Sequence, residues 1–202
     1  MKAEVFDHIT DKQLWKEFQK GNRSAYAYIY DNYFDSLFEY GHKITPDINF
    51  IEDGIQELFV ELWKSRKRLG EVSSIRFYLF KALRRKLIRN LTQQKGNPLN
   101  FMELNDNLNF SISLSIEETL INEQTESERS QRLEQALQSL SKRQKEIIYL
   151  KFYAGLSYQE IADVMALEMK STYNLFARAM EALRQQFSLI CSLYFAFLSY
   201  WY

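Results

Sequence analysis

SYQEIADVMALEMKSTYNLFARAMEALR, residues 157–184, holds two short apolar-periodic runs separated by a break. Ser157-Tyr158-Gln159-Glu160 has the form of a capping box, in which a Ser and a Glu three residues later satisfy each other's backbone N–H groups and start a helix. Ile161, Ala162 and Met165 then face one way, and a turn of three to four residues leads to a second helix beginning near Met169. That spacing is the spacing of a helix-turn-helix. In the second helix Thr172, Phe176, Met180 and Leu183 fall at core spacing, which leaves Lys170, Ser171, Tyr173, Asn174 and Arg178 available to DNA. The second helix of such a motif enters the major groove; Asn and Arg can pair bidentately with base edges there, while Lys and Ser more often hold phosphates. A helical hairpin packed on some other surface would carry much the same pattern.

On the amino-terminal side, Ser141-Lys142-Arg143-Gln144 is another capping box, preceded by Leu133, Leu137 and Leu140 at helical spacing, and Gly155 ends the helix it opens. Six Gly and two Pro in 202 residues, with apolar residues recurring three and four apart, predict an all-α chain. Ile29, Tyr33, Phe34, Leu37, Phe38, Gly41 and Ile44 form one apolar face; Ile51, Ile55, Leu58, Leu62 and Leu69 form an antiparallel second. After Gly70 and Ser73-Ser74 a third helix presents Ile75, Leu79, Ala82, Leu83 and Leu87 until Gly96 and Pro98 stop it.

The expected organisation is two small helical domains, residues 1–95 and 129–186, joined by a linker over 96–128. The linker carries seven acidic residues and no Lys or Arg. Residues 187–202 have no charged side chain and form an apolar tail, shorter than the approximately twenty residues that span a bilayer. An all-round apolar helix is normally buried, so this tail is expected to continue the preceding helix and dock on protein.

Twenty-six basic and twenty-six acidic residues cancel, so net charge by itself points to no partner. Its distribution does. From Lys64 to Lys95 eleven bases face one acid, Glu71, and Phe77, Tyr78 and Phe80 are interleaved among them. Such a density attracts phosphates, and the aromatic rings can stack on unpaired bases. A solvated helix face is the plain alternative. His8 and His42 are isolated, the single Cys191 sits in the apolar tail, and no P-loop, metal-ligand cluster or nucleophile constellation occurs, so an enzyme acting on nucleic acid is disfavoured. No cofactor, metal or small-molecule substrate is expected. The polar start MKAEVFDHITDKQ and the lone Cys predict a cytoplasmic protein.

LSKRQKEIIYLKFYAGLSYQEIADVMALEMKSTYNLFARAMEALR, Leu140 to Arg184, resembles the promoter-reading carboxy-terminal domain of extracytoplasmic-function (ECF) sigma factors of bacterial RNA polymerase, in the sigma-70 family. DGIQELFVELW, Asp53 to Trp63, resembles the polymerase-binding helix of their amino-terminal domain, and SIRFYLFKALRRKLIRNL, Ser74 to Leu91, its DNA-melting helix. The resemblance spans roughly Asp11 to Lys95 and Arg129 to Gln185, in the family's order. It implies a domain 2 that binds core polymerase and melts the minus-ten element, and a domain 4 that reads the minus-thirty-five element. Asp53, Gln56, Glu57, Phe59 and Trp63 match the helix that docks on the clamp coiled coil, with Phe59 and Trp63 as apolar anchors unless they are simply core. The loop from Arg66 to Ser74, including Lys67 and Arg68, matches the segment capturing a flipped minus-ten base, with Arg76, Tyr78, Lys81 and Arg85 on the following helix. The linker resembles the segment threading the polymerase channels. The implied partners are core RNA polymerase through clamp and flap, promoter DNA, and an anti-sigma factor or accessory recruiting protein.

Several positions depart from the family pattern. Arg85 and Arg89 stand where many relatives carry Asn and Asp; Glu168 replaces the usual Ser cap; Leu175 and Ala177 stand where basic residues or His are frequent. The form KSTYNLFARAMEALR resembles sigma factors of the Bacteroidetes type. A dimeric helix-turn-helix regulator is the rival, and it leaves the clamp-type helix and the basic segment without a role. A partner-recruited or membrane-tethered interaction protein using the apolar tail is a further one.

Overall fold

The computed structural model describes residues 6, 8–94, 108–112 and 133–200, with side chains through Gln93 in the first long segment and Gln185 in the last. The regular elements among the described residues are helices, in agreement with the all-α expectation. The chain divides into two compact units, Met1–Leu108 with Asp163–Ala166, and Asn109–Ala162 with Leu167–Tyr202.

The first unit packs α1 (Asp11–Gln19), α2 (Arg23–Ile44), α3 (Ile48–Ser65) and α4 (Ile75–Gln94), with a single 3-10 turn over Arg66–Arg68. Helix α2 is capped by Asn22, whose side chain accepts from Ser24 and Ala25, and α3 by Asp47, which accepts from Phe50. Ile29, Leu37, Tyr40, Ile51, Ile55, Leu58, Phe59, Leu62, Ile75, Leu79, Phe80 and Leu83 close the core, each large side chain contributing about 1.5–3 kcal/mol on burial. Two glycines let the helices approach closely. A Cβ on Gly41 would lie 2.6 Å from Ile51 Cγ2, and one on Gly54 would lie 2.8 Å from Leu87 Cδ2.

Helix α1 goes beyond the sequence expectation, in which the opening of the chain reads as polar. It begins with a capping box between Thr10 and Gln13 and buries Leu14, Trp15 and Phe18. The signal was present at Thr10 and Gln13, at capping-box spacing, just before that apolar triplet.

Further along the chain come a helical segment over 133–138, then α5 (Lys142–Phe152), α6 (Tyr158–Met165) and α7 (Met169–Tyr200), all in the second unit except the last three residues of α6. Both predicted capping boxes form: Ser141 with Gln144, and Ser157 with Glu160. Gly155, at φ +67°, lets the Leu156 N–H turn back to the Leu150 carbonyl at 3.0 Å, closing α5 as predicted. Helix α7 runs on through Tyr200, so the backbone of the apolar tail continues the helix as expected. The docking of its side chains lies outside the described residues. Among the described residues, no helix is long and apolar enough to cross a membrane.

One expectation needs correction. Met180, placed in the core by spacing, is 39% exposed, and Ala179 is buried instead. Seven residues from Thr172 bring a helix back to within about 20° of the same direction, whereas eight overshoot by about 80°. Within the stretch read as a linker, residues 108–112 have no regular secondary structure, yet Leu108, Phe110 and Ile112 are buried. The Phe110 ring meets Tyr149 of α5 edge-on, with centroids 5.8 Å apart.

Candidate nucleic-acid interface

Helices α6 and α7 are joined by Ala166, Leu167 and Glu168. Ala166 takes φ +53°, a left-handed conformation costly for a residue with a Cβ, and the Leu167 N–H bonds the Ala162 carbonyl at 2.8 Å. This sharp exit sets the angle at which α7 departs. Thr172 is fully buried, and its N–H and hydroxyl both bond the Glu168 carbonyl, at 2.9 and 3.0 Å. Thr172 and Ala179 thus turn the opposite face outward. Lys170, Ser171, Tyr173, Asn174 and Arg178 are all exposed on it, so the five residues chosen from sequence come together on one helix surface. Tyr173, 50% exposed, has its ring held 4.8 Å from Tyr158, which Lys151 covers from 4.7 Å.

The basic segment of the first unit is less uniform than its composition. Tyr78, Lys81 and Arg85 share one side of α4, the first two partly buried and Arg85 exposed. Arg76, nine residues before Arg85, emerges on the opposite side of the helix and lies over the Tyr33 ring at 5.8 Å. Arg84 is buried. Lys67 and Arg68 are exposed on the 3-10 turn, but Arg66 folds inward: its guanidinium covers Trp63 at 4.2 Å and donates to the Trp63 carbonyl at 2.6 Å. Tyr78 packs on Trp15 with centroids 5.1 Å apart; burial first, and then the nearby Glu61 charge, hold its phenol above the ordinary tyrosine range.

On α3, Asp53, Gln56 and Glu57 are exposed on one stripe, while Phe59 is 1% exposed, packed against Tyr26 and Tyr30. Trp63 is half-buried at the edge of that stripe, beside Tyr26 and Phe18. The stripe's own apolar member is Val60, 48% exposed and flanked by Gln56, Glu57, Glu61 and Lys64. Its size hides it in the sequence beside the larger Phe59, although Val60 follows Asp53, Gln56 and Glu57 at surface spacing. Between α3 and α4 lies a cleft of about 810 Å³, with Asp53, Glu57 and Glu61 on one wall and Arg85, Lys86 and Arg89 on the other.

A two-unit helical protein with a helix-turn-helix that exposes polar and basic side chains on one face, and with a separate basic, aromatic helix, has the features of a class of transcription proteins. Comparison narrows the class. Residues 29–96 match the model of Sigma-70 region 2, and residues 130–183 that of Sigma-70, region 4. The chain is 21% identical over 173 residues to the ECF RNA polymerase sigma factor SigK of Mycobacterium ulcerans, covering 85% of this chain and 90% of that protein. It is 24% identical over 183 residues to the ECF RNA polymerase sigma-E factor of Haemophilus influenzae, covering 89% and 96%. Its fold is similar to CnrH, solved in complex with the cytosolic domain of CnrY, with a TM-score of 0.56 at 18% identity over 89% of this chain and 97% of that one. The fold is also similar to the sigma factor RpoE of Bartonella quintana, solved with the anti-sigma factor NepR, with a TM-score of 0.50 at 21% identity, covering 79% and 94%. The chain belongs to the sigma-70 family, as a sigma factor of the ECF type. It is a promoter-directing factor of RNA polymerase.

Proposed function

We propose that residues 1–95 act as domain 2 and residues 129–186 as domain 4, with 96–128 linking them and the chain working in the cytoplasm without catalytic activity of its own. Core polymerase meets the α3 stripe of Asp53, Gln56, Glu57 and Val60, with Trp63 at its margin; the clamp coiled coil is the partner surface for it, and the flap serves domain 4. Promoter DNA meets Lys67, Arg68, Tyr78, Lys81 and Arg85 at the minus-ten element. At the minus-thirty-five element it meets Lys170, Ser171, Tyr173, Asn174 and Arg178. Arg66 and Arg76 act behind this surface, since both guanidinium groups already lie against aromatic rings. Because two similar folds were solved with CnrY and with the anti-sigma factor NepR, an anti-sigma protein is the regulatory partner proposed here.

The observation that carries this reading is the shared outward face of the five α7 residues, set by buried Thr172 and Ala179. Each unit offers one small reading surface, so the free chain should bind promoter DNA weakly and with steep salt dependence, and core polymerase should confer tight recognition. Footprinting with and without core polymerase tests this. A nanomolar footprint by the free chain at physiological salt would favour the dimeric-regulator reading instead.

A further inference from the structure

Helix α1 addresses the Arg66–Ser74 loop through a stripe of side chains spaced four residues apart. Asp11 accepts the Ile75 N–H at 2.8 Å, at the start of α4; Trp15 donates its indole N–H to the Gly70 carbonyl at 2.9 Å; Gln19 donates to the Leu69 carbonyl at 2.6 Å. Positions i, i+4 and i+8 lie one above another on a helix, so the stripe runs antiparallel to the loop and holds both of its ends. Lys12 and Lys16 add ion pairs to Glu71, at 2.9 and 3.6 Å, and draw its carboxyl below the ordinary range. The stripe is anchored: Trp15 is 1% exposed, between Phe18 and Tyr78. At the far end of α1, Gly21 takes φ +90° beside the Arg66 guanidinium.

A loop of six residues between two helical elements, containing Gly70 and two Ser, would sample many conformations if left to itself, and ordering it at the moment of binding costs free energy. Here consecutive carbonyls are held from outside, while Glu71 and Ser73 remain exposed. We propose that α1 is the positioning element of this loop, with Trp15 and Gln19 as positioning residues that preset its backbone for promoter recognition. The proposal rests on the reading that the loop meets the minus-ten element, and deepens it.

The test uses the full chain with core RNA polymerase and a pool of duplex promoters randomised through the minus-ten element. Trp15→Phe keeps the ring packing and removes the N–H; Gln19→Met removes the other donor at similar length; a Val72→Ala, Ser73→Ala pair changes the loop side chains directly. Each α1 variant should lower discrimination at the minus-ten element about fivefold, the size a single neutral hydrogen bond commands, at unchanged affinity for core polymerase. If both α1 variants select promoters as the parent does while the loop pair selects differently, the positioning role is overturned and the loop's own role stands. Selectivity and core affinity falling together would mean that α1 only supports the fold, which also overturns it. Parental selection by all three would remove the minus-ten role of the loop and the proposal with it.

Discussion

Lys86 Nζ lies 3.2 Å from a carboxylate oxygen of Glu57, so the helix proposed to meet polymerase is tied to the helix proposed to meet DNA. The same ammonium is 2.8 Å from Glu61, and its side chain is only 12% exposed against 58% and 68% for the two acids. If polymerase meets this stripe as proposed, a basic group on it competes with Lys86 for Glu57. Lys86→Met should leave two acids one turn apart without their shared cation, lowering stability by about 1 kcal/mol. It should also raise the rate of association with core polymerase. Urea unfolding and stopped-flow binding at low and moderate salt check both effects.

Val60 and Gln56 separate surface from core on α3. Val60→Glu and Gln56→Ala should weaken core binding with little change in unfolding midpoint, because both side chains are exposed. Trp63→Ala should weaken binding by about 2 kcal/mol or more and also cost stability, since the ring packs on Tyr26 and carries Arg66. Core affinity and thermal unfolding measured on the same preparations distinguish the two kinds of variant.

On α7, Asn174→Ala and Arg178→Ala should each relax discrimination among minus-thirty-five sequences by about 1–3 kcal/mol. Lys170→Ala should lower affinity evenly and reduce the salt slope by about one. Binding of the polymerase complex to a randomised minus-thirty-five pool at several salt concentrations reads both; identical sequence profiles for all three variants would mean that this face does not contact bases.

Ala179 and Met180 report which residue faces the core. Ala179→Leu should destabilise the second unit by about 1–3 kcal/mol through overpacking against its neighbours. Met180→Gln should stay within about 0.5 kcal/mol of the parent. Chemical denaturation followed by helicity gives the comparison.

Residue type and spacing alone encode the helical class, the two capping boxes that open α5 and α6, the end of α5 at Gly155 and the outward set on α7. These depend on contacts within one or two turns, where residue type and spacing act directly. What lies on which side of α4 was only partly legible, because composition counts charges without direction: Arg76, Arg84 and Arg85 point to an aromatic ring, the interior and solvent respectively. The sequence was equally silent on the preference for Val60 over Phe59 as the exposed apolar residue, and on Ala166 taking a positive φ without glycine. That Trp15 and Gln19 hold the carbonyls of Gly70 and Leu69 follows from packing alone. Those partners are 55 and 50 residues apart in the chain, and no local preference encodes a bond that exists only after α1 has packed against the loop.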